Sequence, residues 1–249
     1  MLRLAATGLA AGLFGAIIGV GGGIIVVPLL VYLFRYDQRR AAATSMGAIA
    51  ITATAGAFAY ALQGHLHADA AALVGIPAGF GVVAGTTIQQ RVPLRRLQLL
   101  FAVFLVLVGI RLLAPETWLF DPVDGRPWWV YPAGNAIGLA GGILAGLFGV
   151  GGGLLFVPTF VLMLGISQLD AGATSLLAML PASYIGAWRQ SRYGNLDGRA
   201  SLAIGISSVF GVVAGIAVAE HTSETVLRIC FGVFLLVTAG QIAWRATRR

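Results

Sequence analysis

The chain has 249 residues, of which 58% are hydrophobic and only 10% charged, and its mean hydropathy is +0.90. A soluble domain carries about 25% charged residues to cover its surface, so this composition excludes the soluble globular class. The formal net charge of +7 comes from 16 basic residues, all arginine. They stand in short connections between apolar runs, which orients a membrane protein and builds no phosphate-binding face, so nucleic acid is not an expected partner.

In chain order, Met1-Leu2-Arg3 and the apolar stretch after it have the look of a cleavable signal. That stretch ends in Gly19-Val20-Gly21-Gly22-Gly23, followed by a second short apolar limb with Pro28 and by a loop holding Arg35, Arg39 and Arg40. Three apolar runs follow, Ala41–Leu62, Ala70–Gln89 and Leu97–Leu113, separated by the loops 63–69 and 91–96. Each run is close to the roughly 20 residues that a helix needs to cross about 30 Å of hydrocarbon. A membrane barrel is the poorer reading, because its strands alternate apolar and polar residues and these runs do not. A polar, Pro-containing connector with a Trp pair, Glu116–Trp129, then precedes Gly149-Val150-Gly151-Gly152-Gly153, and the pattern begins again.

The recurrence has a fixed offset of 130 residues. It aligns Gly21–Gly23 with Gly151–Gly153, Pro28 with Pro158, Ala43-Thr44-Ser45 with Ala173-Thr174-Ser175, and Phe80–Gly85 with Phe210–Gly215. Between residues 8 and 45, 17 of 38 aligned positions are identical, which makes the chain a duplication. The first apolar stretch therefore matches the internal segment 134–150 and belongs to the fold, not to a discarded signal. The arginines do not follow the repeat. Arg35, Arg39 and Arg40 face Gly165, Leu169 and Asp170, whereas Arg189, Arg192 and Arg199 face Ala59, Leu62 and Asp69. Since cytoplasmic loops gather arginine, matched loops are expected on opposite sides. Loops 35–40, 91–96 and 189–199 and the C-terminal arginines then lie inside, with 63–69, 114–131, 165–170 and 220–225 outside.

The expected fold is an all-α polytopic membrane protein of two inverted-topology repeats, residues 1–113 and 132–249, joined by the connector 114–131. Each repeat reads as a glycine-broken hairpin plus three transmembrane helices, with N- and C-termini cytoplasmic and both hairpin limbs short for a crossing. Three adjacent glycines suit a sharp bend with open backbone amides, and broken backbone at membrane depth is tolerated where it is buried in protein or lines a wet cavity. Two such turns near the midplane would offer helix N-termini to an anion. The expected substrate-binding residues are therefore Gly21, Gly22, Gly23, Gly151, Gly152 and Gly153 with the hydroxyls of Thr44, Ser45, Thr174 and Ser175. A back-bond or a helix cap is the plainer use of those hydroxyls. For Gly81, Gly85, Gly211 and Gly215 close helix packing is the expected use, and Pro28 and Pro158 are expected to fix the limb in its first turn. No nucleotide loop is present, because no Lys-Ser/Thr follows the glycines. His65, His67 and His221 stand in short loops without a partner at ligand spacing, and Asp69, Asp170 and Asp197 stand at span ends, where capping suffices. Gln63, Tyr60, Tyr193, Gln190 and Asn195 are placed to line an entrance or to anchor at the interface. Cys230 is alone and makes neither a disulfide nor a redox pair. No metal or other cofactor is called for, and no mid-span nucleophile has an acid or base partner, so no enzyme is expected.

The repeated Gly-x-Gly-Gly-Gly-x4-Pro hairpin, followed both times by Ala-Thr-Ser, resembles the TauE/SafE family of sulfite-exporter-like permeases over nearly the whole chain. The resemblance implies a bacterial inner-membrane exporter of sulfite or an organosulfonate, with a small anion and the lipid bilayer as partners and a monomeric or homodimeric state left open. An importer of a sulfur oxyanion such as thiosulfate and a non-transporting membrane scaffold are the alternatives.

Overall fold

A computed structural model of the chain describes residues 2–18, 22–113, 128–219 and 224–247. These residues form ten α-helices and no strand. The first five are α1 (Leu2–Ile18), α2 (Gly23–Leu33), α3 (Gln38–Leu62), α4 (Ala68–Arg91) and α5 (Leu94–Leu113). The second five are α6 (Val130–Phe148), α7 (Gly153–Leu164), α8 (Gln168–Arg192), α9 (Gly198–Ala219) and α10 (Glu224–Thr247). A hairpin followed by three longer helices thus occurs twice. α3 and α8 start and stop at the repeat offset because matched positions carry matched local chemistry. The Asp37 carboxylate caps α3 by accepting from the Arg40 amide, and the Ser167 hydroxyl caps α8 by accepting from the Asp170 amide. Just past each C-cap, Gly64 and Gly194 take left-handed backbone, φ 77° and 74°.

Among the described residues three helices, α3, α4 and α6, are long and apolar enough to cross a membrane. The second limbs α2 and α7, with 11 and 12 residues, reach only about 16–18 Å at 1.5 Å per residue, as expected. The first limb differs. α6 has 19 residues, about the 30 Å of the hydrocarbon core, because the helix begins at Val130 and takes Pro132 into its first turn, where the missing amide costs nothing. Pro28 and Pro158 are also displaced from expectation: each is the sixth residue of its limb, in the second turn.

Packing follows the repeat and crosses it. α4 lies against α6, and α1 lies against α9, their repeat mates, while α3 meets α8 and α5 meets α10. Small residues carry the first two contacts, as expected for Gly81, Gly85 and Gly211. A Cβ on Gly81 or Gly85 would run into the carbonyl of Leu139 or Ile143, and one on Gly138 or Gly142 into that of Val74 or Ala78. On the other side Gly8, Gly12 and Gly211 meet the backbone of Ile204, Ser208 and Leu9 in the same way. Gly215 has no described surroundings, and the connector 114–127 lies outside the described residues. Outward faces are apolar ladders, such as Ile76, Phe80 and Val83 on α4 and Leu202, Ile206, Phe210 and Val213 on α9, with Phe80 and Phe210 both about two-thirds exposed (70% and 66%).

The directions of α3 and α8 are fixed by contacts at their ends. Arg40 in the first turn of α3 binds Asp197, which stands between α8 and α9, and Arg39 donates to the carbonyls of Gln89, Gln90 and Val92 at the end of α4. At the far end, His65 between α3 and α4 binds Asp170 in the first turn of α8. α3 and α8 therefore run antiparallel. They cross near their centres, where a Cβ on Gly56 would meet Leu176 and one on Gly186 would meet Met46.

Candidate functional site: two glycine turns at the helix crossing

Each glycine turn ends in a helix start that no side chain caps. Gly22 (φ 68°) precedes α2 and Gly152 (φ 82°) precedes α7, both in the left-handed region, and neither makes a side-chain cap hydrogen bond. An L side chain is strained there, and the space is also taken. A Cβ on Gly22 would lie 2.8 Å from the Ala11 carbonyl oxygen, and one on Gly152 would lie 2.7 Å from the Phe156 ring. The amides of Ile25 and Leu155 already donate to the carbonyls of Gly22 and Gly152 (both 3.0 Å), so the amides that α2 and α7 present at the turns are those of their first two residues, which have no partner within the helix.

The turns meet. A Cβ on Gly23, the first residue of α2, would lie 3.0 Å from the carbonyl oxygens of both Gly149 and Val150 in the other turn, and 2.5 Å from Ile49 of α3. Gly151 (φ 85°) lies against Ile49 and Met179, which occupy matched positions in the two repeats. Ile49 and Met179 are each the twelfth of the 25 residues in their helices, so this contact sits near the middle of the crossing. Gly149 is nearer the Arg-rich end, beside Ala42. Gly153 is buried as the first residue of α7, and Gly21 lies outside the described residues.

The hydroxyls expected at the site divide between two tasks. Ser45 donates to the Gly149 carbonyl at 2.8 Å, which ties α3 to the second turn, and Gln89 of α4 holds the same turn by donating to the Leu147 carbonyl at 2.7 Å. Thr44 faces the other way. It accepts from the Asp197 amide (3.3 Å), and its carbonyl accepts from Ser201 (2.9 Å), so it secures the start of α9. Thr174 makes the matched contact, accepting from the His67 amide (3.1 Å) at the start of α4. All four hydroxyl residues, Ser175 included, are fully buried, and Ser175 too is engaged. Thr44 and Thr174 are thus brought to neighbouring helix starts and not to the turns.

Two sets of contacts were not legible in the sequence. Gln89 and Gln190, both fully buried, are joined by a Gln190 Nε2 bond to Gln89 Oε1, and Asn195 donates to Gln190 (2.9 Å). Gln190 and Asn195 were expected near an entrance; Gln89 had no signal, since it closes an apolar run. His65 and His67 are not isolated as the sequence spacing implied. Asp170, more than a hundred residues on, lies 2.7 Å from His65 Nδ1 and 3.7 Å from His67 Nε2. At the other end, the Ala200 amide and then the Tyr36 hydroxyl and Arg40 hold the Asp197 carboxyl below its usual range. Burial, then the bond to Asp197, pushes the Tyr36 phenol up. Gln38, also fully buried, has neither amide atom hydrogen-bonded.

The comparisons with known proteins agree with this architecture. A "Probable membrane transporter protein" of Xylella fastidiosa (strain 9a5c) is 27% identical over 238 residues, covering 92% of this chain and 90% of its own. The "Probable membrane transporter protein YunE" of Bacillus subtilis (strain 168) is 27% identical over 257 residues, covering 94% of each chain. The "Probable membrane transporter protein MJ0441" of Methanocaldococcus jannaschii is 33% identical over 109 residues, 41% of each chain. No solved structure matches. A family model described as "Sulfite exporter TauE/SafE" matches residues 1–112 and 135–249, nearly all of both repeats, and the chain belongs to that family of multi-pass membrane transporters.

Proposed function

We propose that the protein exports a small anion, sulfite or an organosulfonate, by alternating access around the place where the two glycine turns meet α3 and α8. The observation that carries the reading is the meeting of two uncapped helix starts. α2 and α7 begin at left-handed glycines with no side-chain cap, and Gly23 touches the backbone of Gly149 and Val150 beside Ile49. Positive dipole ends and open amides suit a negatively charged guest. The carboxylates of Asp37, Asp69, Asp170 and Asp197 stand at helix ends, and Glu224 is the first residue of α10, whereas a cation site would want a carboxylate at mid-depth. The repeats are taken as inverted in the bilayer of the inner membrane, with both termini cytoplasmic. The antiparallel course of α3 and α8 supports this, as does the gathering of the arginine-bearing loops at one end. An inside-negative potential then assists anion export by about 2.3 kcal/mol per charge per 100 mV.

The test is flux into proteoliposomes, screening sulfite, sulfate, thiosulfate, sulfoacetate and simple carboxylates against an imposed potential without a pH gradient. Potential-driven flux of one sulfur anion is the expected result. Leu154→Pro sharpens it, because proline in the first turn of α7 deletes one amide donor while fitting the helix. Flux should fall at least tenfold with expression and thermal stability kept. Undiminished flux in that variant, or flux that needs a pH gradient at zero potential, would overturn the reading.

A further inference from the structure

The two ends of the α3–α8 crossing are closed by contacts that the repeat places at the same positions with different chemistry. At one end Arg40 and Asp197 form a 2.8 Å ion pair, with the Tyr36 hydroxyl also donating to Asp197 (2.8 Å). The repeat offset carries Arg40 onto Asp170 and Asp197 onto His67. At the other end that matched pair is again oppositely charged when the imidazole is protonated, with the carboxylate now on α8 and the cation in the loop. His65 adds the shorter contact, Nδ1 to Asp170 Oδ1 at 2.7 Å. Beneath each pair lies the same support: Thr44 accepts the Asp197 amide, and Thr174 accepts the His67 amide. These are two copies of one clasp joining the start of a central helix to the start of its neighbour across the repeats.

We propose that the His65–His67–Asp170 contact is a pH-responsive clasp on one end of the transporter, while its repeat mate Arg40–Asp197 holds the other end without regard to pH in the physiological range. Imidazole is the side chain whose charge changes between pH 5 and 8, whereas guanidinium stays charged. An imidazolium adds Coulomb attraction to a carboxylate that a neutral imidazole lacks. Protonated, His65 and His67 are cations against the Asp170 carboxylate and the clasp is tight. Deprotonated, His65 keeps a hydrogen bond to the still-ionised Asp170 carboxylate without the ion-pair attraction, and His67 at 3.7 Å loses its charge. Other titratable groups at this end include Tyr60 at the close of α3, whose ring stands edge-on to His65 with centroids 6.4 Å apart, Asp69 in the first turn of α4, and Tyr131 in the first turn of α6, which runs alongside α4. None of these three is a cation that could replace imidazolium. Separation of α4 from α8 at this end therefore becomes easier as pH rises. The inference rests on the proposed alternating access for its meaning, and on the proposed orientation for naming this end the outer one.

Hydrogen exchange on the wild-type protein in lipid nanodiscs, between pH 5.5 and 8 and corrected for intrinsic rates, reads the clasp without any substrate. Protection of the amides at 67–71 and 170–174 should fall roughly fivefold with rising pH, while amides at 40–44 and 197–201 stay level. His65→Gln/His67→Gln should give low protection at every pH, and His65→Gln/His67→Arg, which restores the chemistry of the other end, should give pH-independent protection. Unchanged protection at 46–57 in each variant reports a retained fold. A flat wild-type profile at the histidine end, or a pH response that survives in the double glutamine variant, would overturn the proposal. Either result leaves the flux test of the transport reading unaffected.

Discussion

At the scale of single residues, glycine does two separable things in this chain. Gly64 and Gly152 both have left-handed backbone, but nothing lies within 4 Å of a Cβ on Gly64, whereas Gly152 faces Phe156 at 2.7 Å. Gly64→Ala should therefore cost only the backbone strain, about 1–2 kcal/mol, and Gly152→Ala clearly more. Thermal unfolding of the two variants in detergent measures the gap, and equal losses would contradict this account of the turn. Asp197 supplies a second residue-scale prediction. Its carboxyl titrates below the usual range because the Ala200 amide, Tyr36 and Arg40 favour the charged form. A depressed carboxylate contributes stability that is complete above its unfolded pKa and drains as pH falls through the folded value. Acid should then destabilise the wild type below about pH 4. Asp197→Asn, which keeps a capping oxygen, should lose part of that acid sensitivity, as melting curves at pH 5 and pH 3 would show.

At the scale of elements, the interfaces α4–α6 and α1–α9 are backbone against backbone, and their tolerance is correspondingly narrow. A side chain on Gly142 would run into Ala78 of α4, while one on Gly240 of α10 meets nothing within 4 Å. Gly142→Leu should abolish the monodisperse folded protein on size exclusion, and Gly240→Leu should leave it intact. Much of this level was legible in advance. The 130-residue offset, the spacing of apolar runs and the small-xxx-small pairs foretold ten helices, the hairpins and the packing use of Gly81 and Gly85. What was not legible depended on where helices begin and what they meet. The first limb α6 gained a turn because Pro132 is harmless there, and Pro28 and Pro158 fell one turn deeper than a first-turn role requires. Among site residues, the approach of the two glycine turns followed from the repeat, but not the particular pairing of Gly23 with Gly149. The use of Thr44 and Thr174 as supports for neighbouring helix starts did not, and neither did the His65–Asp170 contact, since contacts across more than a hundred residues leave no local pattern.

At the scale of the molecule, arginine placement and helix contacts are independent sources that group the loops in the same way. The arginine count assigns 35–40, 91–96 and 189–199 to one side by a rule about membrane insertion. The contacts bring Arg39 to the carbonyls of 89–92 and Arg40 to Asp197 at one end, and His65 to Asp170 at the other. About 37 Å of helix separates the two ends of α3 at 1.5 Å per residue, more than the thickness of the hydrocarbon core, which is long enough for its ends to reach opposite surfaces of a bilayer. On the proposed inverted arrangement, position 40 and its repeat mate 170 face different compartments. In a Cys230→Ser background, a single cysteine at exposed Leu169, beside that mate, should react with a membrane-impermeant maleimide added outside intact cells. A cysteine at Arg199, exposed near Asp197, should react only after permeabilisation. Labelling of both from one side would show that α3 and α8 do not cross the bilayer in opposite senses. It would also remove the physical basis for a guest shared between two oppositely directed helix starts.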